Sequence, residues 1–181
     1  MIQAILKETL IPRTKYLEKI ERFLGKPVIK VLSGMRRVGK SSLLKSVIQN
    51  MVASGQYMSE DIFYLNKESY GWDHIRTYHD LMELFVSFET QRGHGKILVA
   101  IDEIQDIEEW ERFVRSIFSD RPGIDIIITG SNSTLLSGDL ATFLTGRYVE
   151  FEIFPLDFEE YMLFRDEPIS NDLFLEYLRY G

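Results

Sequence analysis

At 181 residues the chain has room for one domain, or for one domain and the beginning of another. It has no cysteine, which excludes disulfides, thiolate metal ligands and cysteine nucleophiles, and its three histidines, His74, His79 and His94, lack zinc-site spacing. The net charge of −7 is uneven: residues 1–40 hold ten Lys/Arg against three Asp/Glu, and residues 41–181 hold eleven against twenty-five, so most of the chain argues against a broad nucleic-acid footprint.

Residues 3–11 are a short apolar lead-in broken by Pro12. There is no basic n-region and no run near ~18 apolar residues, so no secretory signal or membrane span is expected, and the predicted location is the cytoplasm. Tyr16, Leu17, Ile20, Phe23 and Leu24 have helical spacing, ended by Gly25 and Pro27. Val28 to Leu32 reads as a buried parallel strand. Ser41 to Val52 then reads as a helix with Leu43, Leu44, Val47, Ile48 and Met51 on one face, stopped near Gly55.

Further strands are predicted at Ile62–Leu65, Ile97–Ile101, Asp125–Thr129 and Tyr148–Phe154. Helices are predicted over Trp72–Gln91, with His74 and His79 on it, over a stretch carrying Ile107, Trp110, Phe113, Val114, Ile117 and Phe118, and over Ser133–Phe143. Two more come after Pro155, Asp157–Arg165 and Asn171–Tyr180, with Asp157 and Asn171 as N-caps. Strands alternating with helices predict an α/β three-layer sandwich, a parallel sheet with helices on both faces.

The chemistry concentrates in the turn after the first strand. Gly34, Gly39, Lys40 and Ser41 fit G-x-x-x-x-G-K-[ST]. In such a loop the backbone N–H groups of residues 34–42 (Gly34, Met35, Arg36, Arg37, Val38, Gly39, Lys40, Ser41, Ser42) turn inward around phosphate. The glycines permit unusual φ and close approach, Lys40 reaches the β and γ phosphates, and the Ser41 hydroxyl holds Mg²⁺. A chance match is the alternative, and the flanking strand and helix argue against it.

Asp102-Glu103, after the third strand, is the acidic counterpart: Asp102 as a Mg²⁺ ligand opposite Ser41, Glu103 as the general base for the attacking water. For this to hold, Asp102 has to lie within metal-bridging reach of Ser41. Thr129, Ser131 and Asn132 supply either a γ-phosphate sensor or merely a turn and helix cap. Arg147 is a candidate arginine finger, from its own chain or a neighbour, or a surface residue at a turn. Asn66-Lys67-Glu68-Ser69 superficially suggests a guanine-reading N-K-x-D motif, but Ser69 stands where the aspartate is needed, which rejects a GTPase.

Arg36-Arg-Val-Gly-Lys-Ser-Ser-Leu-Leu44, Ile101-Asp-Glu-Ile-Gln105 with Trp110, Thr129-Gly-Ser-Asn132, Leu144-Thr-Gly-Arg-Tyr148 and Phe154-Pro-Leu-Asp-Phe-Glu-Glu-Tyr161 together resemble the prokaryotic AAA-type P-loop ATPases, a group related to the AAA+ and STAND classes. The resemblance covers nearly the whole chain. It implies a sheet of order 5-1-4-3-2, ATP rather than GTP, and Mg²⁺. The family's P-L-S-F reads Pro155-Leu-Asp-Phe158 here, and Arg13 matches a family position near the nucleotide.

The resemblance also implies an ATPase core over residues 1–155 and, over 156–181, the start of a helical lid or C-terminal region that longer members continue. The expected function is Mg²⁺-dependent ATP hydrolysis coupled to conformational change in that missing half, with a homo-oligomer or a protein partner reached through it and no membrane association. The alternative is a non-hydrolysing nucleotide-dependent switch or scaffold, conceivably DNA-associated.

Overall fold

The computed structural model describes residues 2–92, 95–131, 144, 146–165, 167 and 170–180. The predicted helix over 133–143 and the candidate site residue Asn132 lie outside the described residues.

Short, mostly apolar runs form β1 (Ile29–Ser33), β2 (Ile62–Asn66), β3 (Leu98–Asp102), β4 (Asp125–Thr129) and β5 (Tyr148–Glu152). All pair in parallel, in the order β2-β3-β4-β1-β5, which is the predicted 5-1-4-3-2 read from the other edge. Burial on both faces explains the continuous apolar runs of the inner strands.

The helices divide between those faces. α1 (Ile2–Ile5), α2 (Thr14–Glu21) and α3 (Lys40–Ala53) cover one side. There Leu17, Ile20, Leu43, Leu44 and Val47 pack on Leu32, Tyr64, Ala100 and Ile127. α4 (Tyr78–Arg92) and α5 (Trp110–Asp120) cover the other, where Leu81, Phe85, Phe113 and Ile117 meet Val31, Leu65, Val99 and Ile126. Alternate strand residues serve opposite layers, as the two-residue side-chain period requires. After β5 come α6 (Phe158–Arg165) and α7 (Asn171–Tyr180), with the Phe158 ring edge-on to Phe174.

Three local expectations change. The helix predicted from Trp72 begins at Tyr78, because the Asp80 carboxylate accepts the Thr77 N–H at 2.8 Å and the Arg76 N–H at 2.9 Å and fixes a start there. His74 therefore sits ahead of that helix and His79 on it. The cap of α7 is Ser170, whose hydroxyl accepts the Leu173 N–H at 3.1 Å, rather than Asn171. Asp157 caps α6 as expected, accepting the Glu160 N–H at 2.8 Å.

The amino end of the sheet holds a buried charge that the apolar reading of β1 passed over. Lys30 is fully buried and pairs with Asp125 at the start of β4. Asp125 also accepts the Tyr57 hydroxyl at 2.6 Å and the Gly25 N–H, at 2.8 Å to one oxygen and 3.0 Å to the other. Burial lowers the Lys30 ammonium, more than its bond to Asp125 raises it, and pushes the Tyr57 phenol up. One carboxylate thus ties the ends of β1 and β4 to the loops after α2 and α3. Truncating the lysine leaves that carboxylate buried without a counter-charge, so Lys30→Ala is expected to cost about 3–5 kcal/mol in urea unfolding. A loss below ~1 kcal/mol would mean that the pair is incidental.

Candidate functional site

Parallel strands place all their carboxyl ends on one edge, and the loops leaving β1, β3 and β4 meet there. The loop after β1 opens with Gly34 at φ 149°; a β-carbon there would stand 2.4 Å from the Ile153 carbonyl oxygen. It closes with Gly39 at φ 93°, the left-handed residue just before α3. Between them Met35 and Arg36 face solvent, and Arg36 pairs with Glu68 at 3.1 Å. Arg37 is exposed with φ 66°, and Val38 turns inward.

Lys40 opens α3 and is almost wholly buried. Its ammonium donates to the Gly34 carbonyl at 3.1 Å and the Met35 carbonyl at 2.9 Å, and lies 3.7 Å from a Glu103 carboxylate oxygen. The Ser41 hydroxyl donates to Asp102 Oδ1 at 3.1 Å, so the proximity required of these two residues is present. The Thr129 hydroxyl donates to the same oxygen at 2.5 Å and accepts the Glu103 N–H at 3.0 Å. Thr129 thus aligns the two acidic residues, its hydroxyl donating to one and accepting from the other.

Asp102 has no accessible surface, and its Oδ2 is buried without a hydrogen-bond partner. An orphaned carboxylate oxygen beside a serine hydroxyl at a phosphate loop fits a hard divalent cation. Among the described residues no group of three or more His, Cys, Asp or Glu forms a metal cage, and Mg²⁺ at triphosphates needs none, because phosphates and waters fill most of its shell. A cavity of about 770 Å³ opens over Lys40, Ser41 and Glu103, lined also by Arg36, Arg37, Gly39, Ser42 and Glu68. A larger cleft of about 900 Å³ opens at the amino ends of the central strands, away from the converging tips, and holds neither the phosphate-loop residues nor Asp102 and Glu103.

Two arginines lie outside the cluster of Lys40, Ser41, Asp102 and Glu103. Arg147 precedes β5, exposed, with its carbonyl accepting the Ile29 N–H at 2.9 Å. That is the amino edge of the sheet, a full strand length, ~16 Å, from its own phosphate loop. It does not reach the nucleotide cavity of its own chain. Arg13 lies beside the loop but has no free donor. Its Nε and Nη2 clamp Glu160 at 2.9 and 2.6 Å, Nη1 donates to the Val38 and Phe154 carbonyls at 3.0 and 2.9 Å, and Nη2 to the Pro155 carbonyl at 3.3 Å. Five N–H groups, five acceptors: it ties the phosphate loop to α6.

The class of protein this defines is a P-loop nucleotide-binding domain, and the comparisons narrow it. Residues 26–162 match the family model AAA_14, described as an AAA domain, and the chain belongs to that family. It is 38% identical over 180 residues to an uncharacterized protein of Haemophilus influenzae, covering 97% of this chain and 44% of that protein. It is 34% identical over 140 residues to MJ1544 of Methanocaldococcus jannaschii, covering 76% and 29%. The chain therefore spans less than half the length of these relatives.

In fold it is similar to the Aeropyrum pernix Orc1 protein in complex with DNA, with TM-score 0.59, 12% identity and coverage of 91% of this chain and 54% of that one. It is also similar to the AMPPCP-bound DnaA of Aquifex aeolicus, with TM-score 0.56, 14% identity and coverage of 94% and 57%. Both have the P-loop ATPase fold. An AAA-type, nucleotide-binding fold is thus established.

Burial raises the Asp102 carboxyl, outweighing the bonds from Thr129 and Ser41 that lower it. A raised carboxyl stabilises the fold fully below its ordinary value of 3.8, and the contribution is lost as pH rises through the raised value. Asp102→Asn keeps an acceptor for both hydroxyls and removes the charge. At neutral pH the nucleotide-free variant is expected to melt above wild type, with the gap closing as pH falls. A variant that melted lower at neutral pH would contradict this reading.

Proposed function

We propose that the protein binds ATP with Mg²⁺ and hydrolyses it, using turnover to move a C-terminal half of the longer protein. The observation that carries this is the Asp102 carboxylate, whose Oδ1 accepts the Ser41 hydroxyl at the start of α3 and whose Oδ2 is left without a partner. On this reading the N–H groups of residues 34–42 cradle the phosphates, and Lys40 leaves the Gly34 and Met35 carbonyls for the β and γ oxygens. Ser41 and Asp102 would hold Mg²⁺, which when bound neutralises charge on the β and γ phosphates.

Glu103 takes the proton of the attacking water as general base. Its backbone is fixed in a left-handed conformation, φ 54°, and its N–H is held by Thr129. The base is assigned to a smaller recess of about 140 Å³ beside the loop, whose apolar walls are Ile11, Val38, Leu43, Leu156 and Phe164 and whose polar lining includes Arg13, Arg37, Ser42 and Ser46. These apolar walls come from the lead-in, the loop, α3 and the segment through α6, so closing on the base would draw residues beyond 155 against the core.

Arg147 acts, on this reading, in the site of an adjoining copy, since its own is out of reach. Residues 1–155 then form the catalytic core and 156–181 begin the moving region, with a second copy and the C-terminal half as partners. Bulk DNA binding by this stretch is disfavoured by the charge of −14 beyond residue 40. The cytoplasm is the expected setting; among the described residues no helix is long and apolar enough to cross a membrane.

Single-turnover hydrolysis by the longer protein tests the reading. Glu103→Gln should lower the rate by ~10²–10³-fold or more while leaving ATP affinity within about threefold. Lys40→Ala should weaken binding by at least ~10-fold. Wild-type hydrolysis that no Glu103 substitution slows would remove the assigned base. Arg147→Ala should lose turnover by ~10²-fold and regain part of it when mixed with Lys40→Ala, because one mixed interface has both an intact loop and an intact arginine. No recovery on mixing would place Arg147 outside catalysis.

A further inference from the structure

The carboxylate assigned as general base is already held by a residue with no role so far. Glu103 begins a tight turn, Ile104–Asp106, which reverses the chain directly after β3. Ile104, with no accessible surface, fastens that turn into the core. The reversal brings Gln105 back over Glu103, and its amide Nε2 donates to Glu103 Oε2 at 2.7 Å. The other oxygen, Oε1, lies 3.7 Å from Lys40. Lys40 and Gln105 are the two side chains found against this carboxylate among the described residues.

The contact fixes which way the amide faces. Reversed, it would set oxygen against oxygen, so the nitrogen points at Glu103 and the oxygen points away. That oxygen, Gln105 Oε1, is buried and accepts no hydrogen bond. Of the few buried side-chain atoms left without a partner, one is Asp102 Oδ2 and another is this one, borne by residues three apart. A buried acceptor of this kind is stable only when a donor comes to it.

Resting on the hydrolysis reading, we propose that Gln105 is a positioning residue for the attacking water. Once Lys40 has moved to the phosphates, Gln105 is the side chain among the described residues that still restrains the Glu103 carboxylate. The water then gives one O–H to Glu103 and the other to Gln105 Oε1, which turns its lone pair toward the γ-phosphorus. The water oxygen bonds to phosphorus, its proton passes to Glu103, and the bond from phosphorus to the β–γ bridging oxygen breaks with its electron pair leaving on ADP. The proton is then released to phosphate or solvent. Gln105 forms no covalent bond and exchanges no proton.

The test is a split between kcat and KM in the longer protein. Gln105→Ala is expected to lower kcat by ~10–100-fold, with KM for ATP and equilibrium ATP affinity within about twofold of wild type. Gln105→Glu, which keeps the length but replaces the donor with a second carboxylate, should be at least as slow. Should Gln105→Ala melt early, Gln105→Met fills the same volume with neither donor nor acceptor and carries the same expectation. Wild-type kcat in these variants, or a parallel loss of ATP affinity, overturns the proposal. Glu103→Gln in the same assay separates the two readings. An inactive Glu103→Gln beside a fully active Gln105→Ala sinks only the role of Gln105, whereas an active Glu103→Gln sinks the hydrolysis reading itself.

Discussion

A single oxygen organises the site. Asp102 Oδ1 accepts a hydroxyl from the first turn of α3 and another from the last residue of β4, while its own backbone ends β3. Three neighbouring chain segments are therefore locked at one end of the sheet, and the next acidic residue, Glu103, is locked with them through its N–H. Parallel pairing makes this arrangement available, since every strand delivers its carboxyl end to the same edge. With one oxygen saturated, the other is left bare in a place where water does not reach.

The two ends of the sheet treat a buried carboxylate differently, and the difference separates structure from chemistry. Asp125, at the amino end, has a lysine, a tyrosine hydroxyl and a backbone N–H, and both of its oxygens are satisfied. It is a fastening. Asp102, at the carboxyl end, has only hydroxyl donors and one empty oxygen, so the fold carries it at a cost in stability. A similar trade recurs at Glu103, where a non-glycine residue is held at positive φ. Arg13 joins this edge of the sheet to the helices beyond β5. With donors on both Val38 and Glu160, it bonds the loop directly to α6.

Much of this was legible from the sequence, for identifiable reasons. The strands were found within a residue or two, because burial on both faces writes itself as unbroken apolar runs. The order of the sheet was implied by the family resemblance and appears in the structure. The phosphate loop and Asp102-Glu103 were legible because their chemistry fixes residue types at fixed spacing. What depends on distant pairing was not: Lys30 inside an apolar run signals a buried partner, but nothing local names Asp125. Arg13 was expected near the nucleotide and lies beside the phosphate loop, but spacing cannot show that its donors are taken up by Glu160 and three carbonyls. The late start of α4 was legible in principle, for Thr77-x-x-Asp80 is a capping pattern. It was hidden by the apolar stripe that runs on ahead of it. Gln105 stood out only as the end of the Ile101–Gln105 motif, because its bond to Glu103 depends on a left-handed turn at Glu103.

The account stands on the claim that the bare oxygen of Asp102 and the hydroxyl of Ser41 serve one metal at a bound triphosphate. A crystal structure with a non-hydrolysable ATP analogue and Mn²⁺, located by its anomalous signal, tests it directly. The account predicts Mn²⁺ within about 2.0–2.3 Å of the Ser41 hydroxyl oxygen, with Asp102 bound to it directly or through one water. Mn²⁺ bound to the phosphates but more than ~6 Å from Asp102, too far for one bridging water, would contradict it.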